Sequence, residues 1–557
     1  MLSDKLKKIP VRRYFALVIS VVFLLAVLIA GFLYMNGPDR WKVISAIPGP
    51  IRKAGKMVLR EINNAPYILY RFGSSELPQY SLKIKPVDLN FLNNNLPEIG
   101  EEMTDDYQVY VPAKFFFNDE EYDVDVRYRG ATSAHWAYPK KSLRIRFKGD
   151  HLLNGMKTIN LILPEDRGMI AEELNSYRAR KLGLIVPDSQ FVTISINGDT
   201  PAVYWEVEQT TKEFLEKNEL SGDTNMYSEI YLYKDIFTDI NYWKKYSVNP
   251  SRSENDFTEL AVLLDILNNP NDEEFDKTIF NILDEDSFYN WTIWYLLAGS
   301  SAQGSQHNVR LYFDPSIGKF KFVAWDLSIS EWYYYPDKYG AVDPRLIEES
   351  DSPLAIRILR HSEFMAERNE RLWQYVQNEN NLADELKYND DTYQKIKKAF
   401  YQDTIKEYTN KYFDESVKSI RQIVENNFTG LRDLFVNDEV SCEFSFAGDE
   451  SVSVNLFTAS LAPLKVGKVE LLDKNKNVAQ TVYPEMSVIS PVVANETLST
   501  DYFIASGGIY IQYFDIFALA ENSAKFDVSV GDGVKVYVEN LYTGGESGTD
   551  CVLNNEL

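Results

Sequence analysis

The feature that most restricts this chain lies near its start. From Tyr14 to Met35, YFALVISVVFLLAVLIAGFLYM, 22 residues pass without a charge. A helix of that length crosses the apolar core of a bilayer. The preceding MLSDKLKKIPVRR carries Lys5, Lys7, Lys8, Arg12 and Arg13 against Asp4, a net of 5 − 1 = +4. Such a basic flank stays on the cytoplasmic side. The run is longer than the apolar centre of a signal peptide, and no A-x-A cleavage site follows it, which predicts an uncleaved anchor. No second apolar run of this length follows. Residues from 36 onward are therefore expected outside the cytoplasm, on a single-pass protein of the cell membrane.

The remainder is strongly acidic. The whole chain has a net charge of −24, so the part beyond the anchor carries −24 − 4 = −28. Phosphate backbones need a basic face, which argues against nucleic acid as a partner. Hydrophobic residues at 45% and aromatic residues at 14% can fill a large core. Two cysteines, Cys442 and Cys551, flank the C-terminal segment. Outside the cytoplasm they can join the first and last strands of one domain, or stand as two thiols.

Along the chain, the basic tail (1–13) and anchor (14–35) lead into a linker and helix (36–77). Residues 78–435 read as α+β. Alternating stretches such as YQVYVPAKFFF and EYDVDVRYRG come first, and a hairpin is expected about Asn197-Gly198-Asp199. Helical periodicity covers 212–218, 257–268 and 286–299, and dominates from Pro353 to Phe435. Residues 436–557 hold short strands between Gly, Asp and Asn turns, the pattern of an all-β sandwich.

Strand parity then picks out candidate residues, because alternate side chains share a face. In YPKKSLRIRF, parity places Lys141 with Leu143, Ile145 and Phe147, and Lys140 opposite with Arg144 and Arg146. A lysine on an apolar face needs a partner or a ligand, unless it snorkels to water. In AVYWEVEQ, Glu206 and Glu208 share a face with Tyr204; either could pair with Lys141, or the face could be solvated. In QHNVRLYFDPSIGKFKFVAWDLS, Asp326 falls on the parity of Phe320, Phe322 and Ala324. A buried carboxylate there needs a cation, a metal or several donors. Magnesium uses one or two carboxylates plus substrate phosphates, so Asp326 with Asn308 before the hairpin can suffice. His307 reads as a structural hydrogen-bonder. An Asn, a hairpin and then an Asp is also the order of a kinase metal site.

These blocks, in this order, resemble the spore-coat protein H (CotH) kinases. The resemblance rests on VDVRYRGATS with YPKKSLRIRF, EDRGMIAEELNSYRARKLGL, ISINGDTPAVYWEVEQ, YLYKDIFTDINYWKKY, QHNVRLYFDPSIGKFKFVAWDLS and SPLAIRILRHSEFMAERNERLW. It implies an atypical protein-kinase-like domain that uses ATP with Mg²⁺ or Mn²⁺ to phosphorylate serines of extracytoplasmic proteins. It implies Arg129 and Lys141 on the nucleotide phosphates, Glu208 as the partner of Lys141, and Asn308 and Asp326 as metal ligands. The sequence departs from the family in the loop before the HN pair. Active members carry an Asp there that accepts the substrate proton; here the loop reads AGSSAQGSQHN, no carboxylate lies between Trp291 and Phe313, and Gln303 is the nearest polar replacement. A second Asp of the family is Ser328, with Glu331 close by, and a glycine of the family is Ala202. The expectation is therefore divided between a slow extracytoplasmic kinase and a degenerate pseudokinase that scaffolds envelope protein or polysaccharide.

Overall fold

The computed structural model describes Arg60 and residues 63–553, apart from 231–234, 248–252, 301, 304–307, 328, 330–352, 360, 447–450, 459, 474, 484–487, 490–509 and 518–532. The apolar run Tyr14–Met35 lies outside the described residues, as do His307, Ser328 and Glu331. Among the described residues no helix is long and apolar enough to cross a membrane.

Seven strands close a barrel in the order β1-β2-β3-β4-β5-β7-β6. They are β1 (Gln79–Ile84), β2 (Val111–Phe117), β3 (Glu120–Tyr128), β4 (Leu143–Phe147), β5 (Thr158–Ile162), β6 (Ser189–Ile196) and β7 (Ala202–Glu208). Neighbours are antiparallel except β1 and β6, which pair in parallel and close the ring. β6 and β7 form the expected hairpin, with Asn197 and Gly198 at positive φ in its turn. Leu82, Phe115, Val126, Ile145, Phe147, Leu161 and Val192 fill the interior. β7 is buried on both faces: Tyr204 points inward, while Val203, Trp205 and Val207 join a second, larger core. That double burial explains why its glutamates are not solvated.

α1 (Pro86–Asn94) crosses between β1 and β2, and α2 (Ala171–Lys181) lies between β5 and β6. After the barrel come α3 (Lys212–Lys217), α4 (Thr258–Leu267), α5 (Asp272–Ile282), α6 (Glu285–Ala298), α7 (Pro353–Leu359), α8 (Ser362–Gln377), α9 (Glu379–Gln402) and α10 (Asn410–Val436). A four-stranded sheet lies among them, in the order β11-β10-β8-β9, made of β8 (Met226–Glu229), β9 (Trp243–Ser247), β10 (Arg310–Asp314) and β11 (Lys319–Phe322). α6 is buried on nearly every side, with Trp291 stacked on Phe322 at 4.1 Å. The larger core runs through α2, α4, α6, α8, α9 and α10.

The C-terminal residues form two sheets. One is built from β12 (Val440–Phe446), β13 (Ser451–Thr458), β17 (Tyr510–Phe517) and β20 (Val552–Leu553). The other contains β14 (Leu464–Leu472), β15 (Val478–Val482), β16 (Val488–Ile489), β18 (Gly533–Asn540) and β19 (Glu546–Asp550). Both sheets contribute to one apolar cluster that includes Phe444, Val454, Val469 and Val536. Cys442 and Cys551 are bonded to each other, Cα to Cα 4.4 Å. The sheets dock on the helices: Asn369 on α8 donates to the Leu461 carbonyl, Asn540 donates to that of Phe435, and Trp373 stacks against Tyr542.

Candidate functional site

The site is assembled where the β3–β4 loop meets the segment after β11. Asp326 lies four residues past the end of β11, so strand parity no longer governs it. Ala324 and Trp325 are buried, whereas the Asp326 side chain is 23% exposed. Its partner is a cation that parity does not reveal. Arg167 Nη1 pairs with Asp326 Oδ1. Arg167 comes from a 3₁₀ turn, Pro164–Arg167, just before α2.

The backbone around Asp326 is held on three sides. The carbonyl of Trp325 accepts from Gln303 Nε2 at 2.6 Å, that of Asp326 from Asn308 Nδ2 at 3.3 Å, and that of Leu327 from Asn175 Nδ2. Gln303 is itself fixed, because its Oε1 accepts from the Trp291 indole at 3.3 Å. Asn308 and Asp326 both adopt left-handed backbone, φ 66° and 53°. Asn and Asp tolerate that region better than most residues, and strain of this kind gathers where the fold must aim a side chain. The structure thus brings Asn308 and Asp326 together.

Arg129 follows β3 and faces the same loop. It is 7% exposed, and its Nε and Nη1 have no hydrogen-bond partner among the described residues. Burial, then the nearby charges of Arg144 and Arg167, push its pKa well below the usual arginine range. A buried guanidinium with free donors beside other guanidiniums favours an anion. Next to it, Gly130 has φ +102°, and a Cβ built there would lie 2.0 Å from His135 Cγ. Only glycine leaves room for that ring. Ser142 Oγ accepts the Leu163 N–H at 3.2 Å and lies within hydrogen-bond distance of His135 Nδ1, also at 3.2 Å. The other ring nitrogen, Nε2, lies 3.3 Å from Asp166 Oδ2, a carboxylate oxygen that accepts, which favours the proton on Nε2. Burial pushes His135 down to about 3, which keeps the ring neutral. Asp166 Oδ2 also lies 3.3 Å from Arg167 Nε. A polar chain thus runs Ser142–His135–Asp166–Arg167–Asp326. Glu172, in the first turn of α2, is buried 3.9 Å from Arg167 Nη1; burial raises its pKa, and Arg167 opposes this.

Two placements expected from parity are corrected. β4 begins at Leu143, so Lys140 and Lys141 belong to the loop rather than the strand. The buried lysine is Lys140, whose Nζ lies 3.0 Å from both the Val203 carbonyl and Asp403 Oδ2. Lys141 is half-buried, and its Nζ donates to the Tyr138 carbonyl at 2.6 Å. Nor does Glu208 meet Lys141. It ends β7 and pairs with Lys217 Nζ of α3 at 2.6 Å. The Tyr204 hydroxyl, earlier on β7, is what reaches the Lys141 backbone.

The donor set can be tested against a nucleotide and a metal. The free donors of Arg129 suit a phosphate oxygen. Among the described residues no group of three or more His, Cys, Asp or Glu side chains could hold a metal. Asn308 and Asp326 offer an amide and one carboxylate, which suits a Mg²⁺ that takes its other ligands from phosphates and water.

The family model described as "CotH kinase protein" matches residues 126–431, more than half of the chain. The chain belongs to the CotH kinase family. The match covers Arg129, Lys141, Glu208, Asn308 and Asp326. The chain is also similar to the inner spore coat protein H of Bacillus subtilis, 26% identical over 298 residues, which cover 52% of this chain and 78% of that protein. A solved structure, the Helicobacter pylori proinflammatory kinase CtkA, covers 52% of this chain and 94% of its own at 15% identity. Its TM-score is 0.22, at which the likeness carries no weight. In this CotH member, His135, Asp166, Arg167 and Glu172 join the site although the sequence assigns no role to them; Asp166, Arg167 and Glu172 fall in the block EDRGMIAEELNSYRARKLGL, and a glycine precedes the loop that carries His135.

Proposed function

We propose that this CotH member is a membrane-anchored kinase acting outside the cytoplasm, which transfers phosphate from ATP, with Mg²⁺ or Mn²⁺, to serines of envelope or surface proteins. The observation that carries this reading is Arg129, buried with two free donors, beside the Arg167–Asp326 pair. Arg129 would hold phosphate oxygens. Lys141 would join it, since its amino group is committed only to a carbonyl while that of Lys140 is locked to Asp403. Asn308 and Asp326 would hold the metal, which neutralises charge on the transferring phosphate. Arg167 competes for the same carboxylate oxygen and so tunes its availability. The Cys442–Cys551 bond supports an oxidising compartment. The C-terminal sheets would form a sandwich over 436–557 that presents loops to a protein or polysaccharide partner. The relative's name, a spore coat protein, fits a target in a surface layer.

A second reading has its own observation. Gln303, the nearest polar replacement for the family's loop Asp, is 3% exposed and tied to Trp291 and the Trp325 carbonyl. Both ends of its amide are thereby engaged, and glutamine is no base. General-base help is worth roughly 10² to 10⁴ in rate, so a pseudokinase scaffold is the alternative. The test incubates the full-length protein with γ-labelled ATP and Mg²⁺ or Mn²⁺, beside Asp326→Ala, Arg129→Ala and Lys141→Ala. Binding and label transfer lost in the Asp326 and Arg129 variants support the kinase. Binding without transfer supports the scaffold. No binding by the wild type removes the kinase and leaves a scaffold that needs no nucleotide.

A further inference from the structure

The far end of the barrel holds a cavity that the kinase reading leaves unused. It measures about 270 Å³ and is lined by Asn154, Arg180, Asp188, Gln190, Glu206 and Lys217, with Met156 and Ser189. Asn154 and Met156 belong to the β4–β5 connection. Arg129 and His135 both lie in the β3–β4 connection, at the opposite end of β4. The cavity and the candidate site are therefore separated by the length of that strand.

Glu206 forms the cavity's buried wall. It shares the inward parity of Ala202 and Tyr204, and is 2% exposed. Its Oε1 accepts from Gln190 Nε2 at 2.7 Å, and its Oε2 has no hydrogen-bond partner among the described residues. Lys217, one of two cations in the cavity lining, is occupied by Glu208 and Asp188, both at 2.6 Å. Arg180 leans on Glu173 at 3.6 Å. Burial pushes Glu206 up to about 7, against the Gln190 hydrogen bond and the influence of the nearby Tyr80 hydroxyl. Glu208 Oε1 is likewise without a partner among the described residues. The region thus holds three carboxylates, Asp188, Glu206 and Glu208, around one lysine. Barrel mouths are common places for small ligands. A buried carboxylate with spare acceptor capacity is satisfied best by a charged donor.

We propose that this barrel-end cavity binds a small molecule carrying a primary ammonium group, which the Glu206 carboxylate receives while Asp188 holds the rim. The reading is independent of nucleotide binding at the other end. The test titrates full-length protein at pH 8, where Glu206 is ionised, with putrescine, and with 1,4-butanediol as a neutral molecule of the same length, by calorimetry and thermal denaturation. Putrescine is expected to bind saturably and raise Tm, and the diol is expected to do neither. Glu206→Gln keeps the shape and the Gln190 contact, and should weaken putrescine roughly ten- to a hundred-fold, the worth of a charge-assisted hydrogen bond. Asp188→Asn, at an exposed position, covers the case in which Glu206→Gln does not fold, and should weaken binding several-fold. The proposal is overturned if wild type ignores putrescine, if the diol binds as well, or if the folded variants bind putrescine as tightly as wild type.

Discussion

At the residue scale, Gly130 governs how the site is aimed. Its φ is +102°, and any Cβ at this position would come within 2.0 Å of the His135 ring, which leaves no room for a side chain. Gly130→Ala should displace His135, and with it Asp166 and Arg167. The expected cost is roughly 1–3 kcal/mol of stability together with weaker ATP binding, read by urea denaturation and nucleotide titration. An unchanged variant would mean that the polar chain does not set the site. Glu206 gives a pH-dependent prediction at the same scale. Its pKa rises from the usual 4.5 to about 7, chiefly through burial among Tyr80, Gln190, Glu208 and Lys217. The folded state therefore keeps a proton that the unfolded chain has lost. This group's contribution is fully favourable below about 4.5, declines as pH rises, and reaches its full penalty above about 7. Glu206→Gln cannot ionise. Its stability relative to wild type should rise by roughly 3 kcal/mol between pH 4.5 and 8. Parallel pH profiles for the two proteins would contradict the assignment.

At the element scale, α9 is tied to the barrel through its last turn. Asp403, just past α9, accepts from the Val203 N–H and from Lys140, both at 3.0 Å. Burial works against the Lys140 charge, but Asp403 and Glu165 outweigh it and raise its pKa. Asp403→Ala would leave the buried ammonium with only the Val203 carbonyl and the more distant Glu165 at 3.6 Å, at a cost of about 3–5 kcal/mol. Lys141→Ala should cost less than about 1 kcal/mol, as its amino group meets one carbonyl near the surface. Urea denaturation of the two variants checks the contrast; equal losses would refute it. This pair also shows what the sequence can disclose. Alternation identifies β4 and β7, and the Asn197-Gly198 turn identifies the β6–β7 hairpin, because those signals are local. Parity misplaces Lys141 and Asp326, since each lies beyond the end of its strand, where period two lapses. The closing β1–β6 pair joins Gln79 to Thr193 in parallel, and no local pattern encodes a contact over such a separation. The pairing of Arg167 with Asp326 and the anchoring role of Gln303 are illegible for the same reason: each residue meets its partner only once separate segments converge.

At the scale of the whole molecule, the fold places reporters unevenly. All 9 tryptophans, from Trp41 to Trp373, precede the C-terminal strands. Those strands carry the disulfide, which closes a sequence separation of 109 residues. A crosslink of that span typically stabilises by about 2–5 kcal/mol, mainly by restricting the unfolded chain. Its removal should therefore weaken the two C-terminal sheets and leave the barrel and helices nearly as they were. The double variant Cys442→Ser, Cys551→Ser tests this in urea, followed by far-UV dichroism and tryptophan fluorescence together. An early dichroism phase with little fluorescence change is expected. The one tryptophan placed to sense it, among the described residues, is Trp373, which stacks on Tyr542 with its ring centroid 6.0 Å away. Trp373→Phe should then make the early phase silent in fluorescence without abolishing it in dichroism. If both probes instead shift together in the double variant, the C-terminal sheets and the CotH domain unfold as one unit. The hydrogen bonds from Asn369 to Leu461 and from Asn540 to Phe435 would then transmit cooperativity as well as docking.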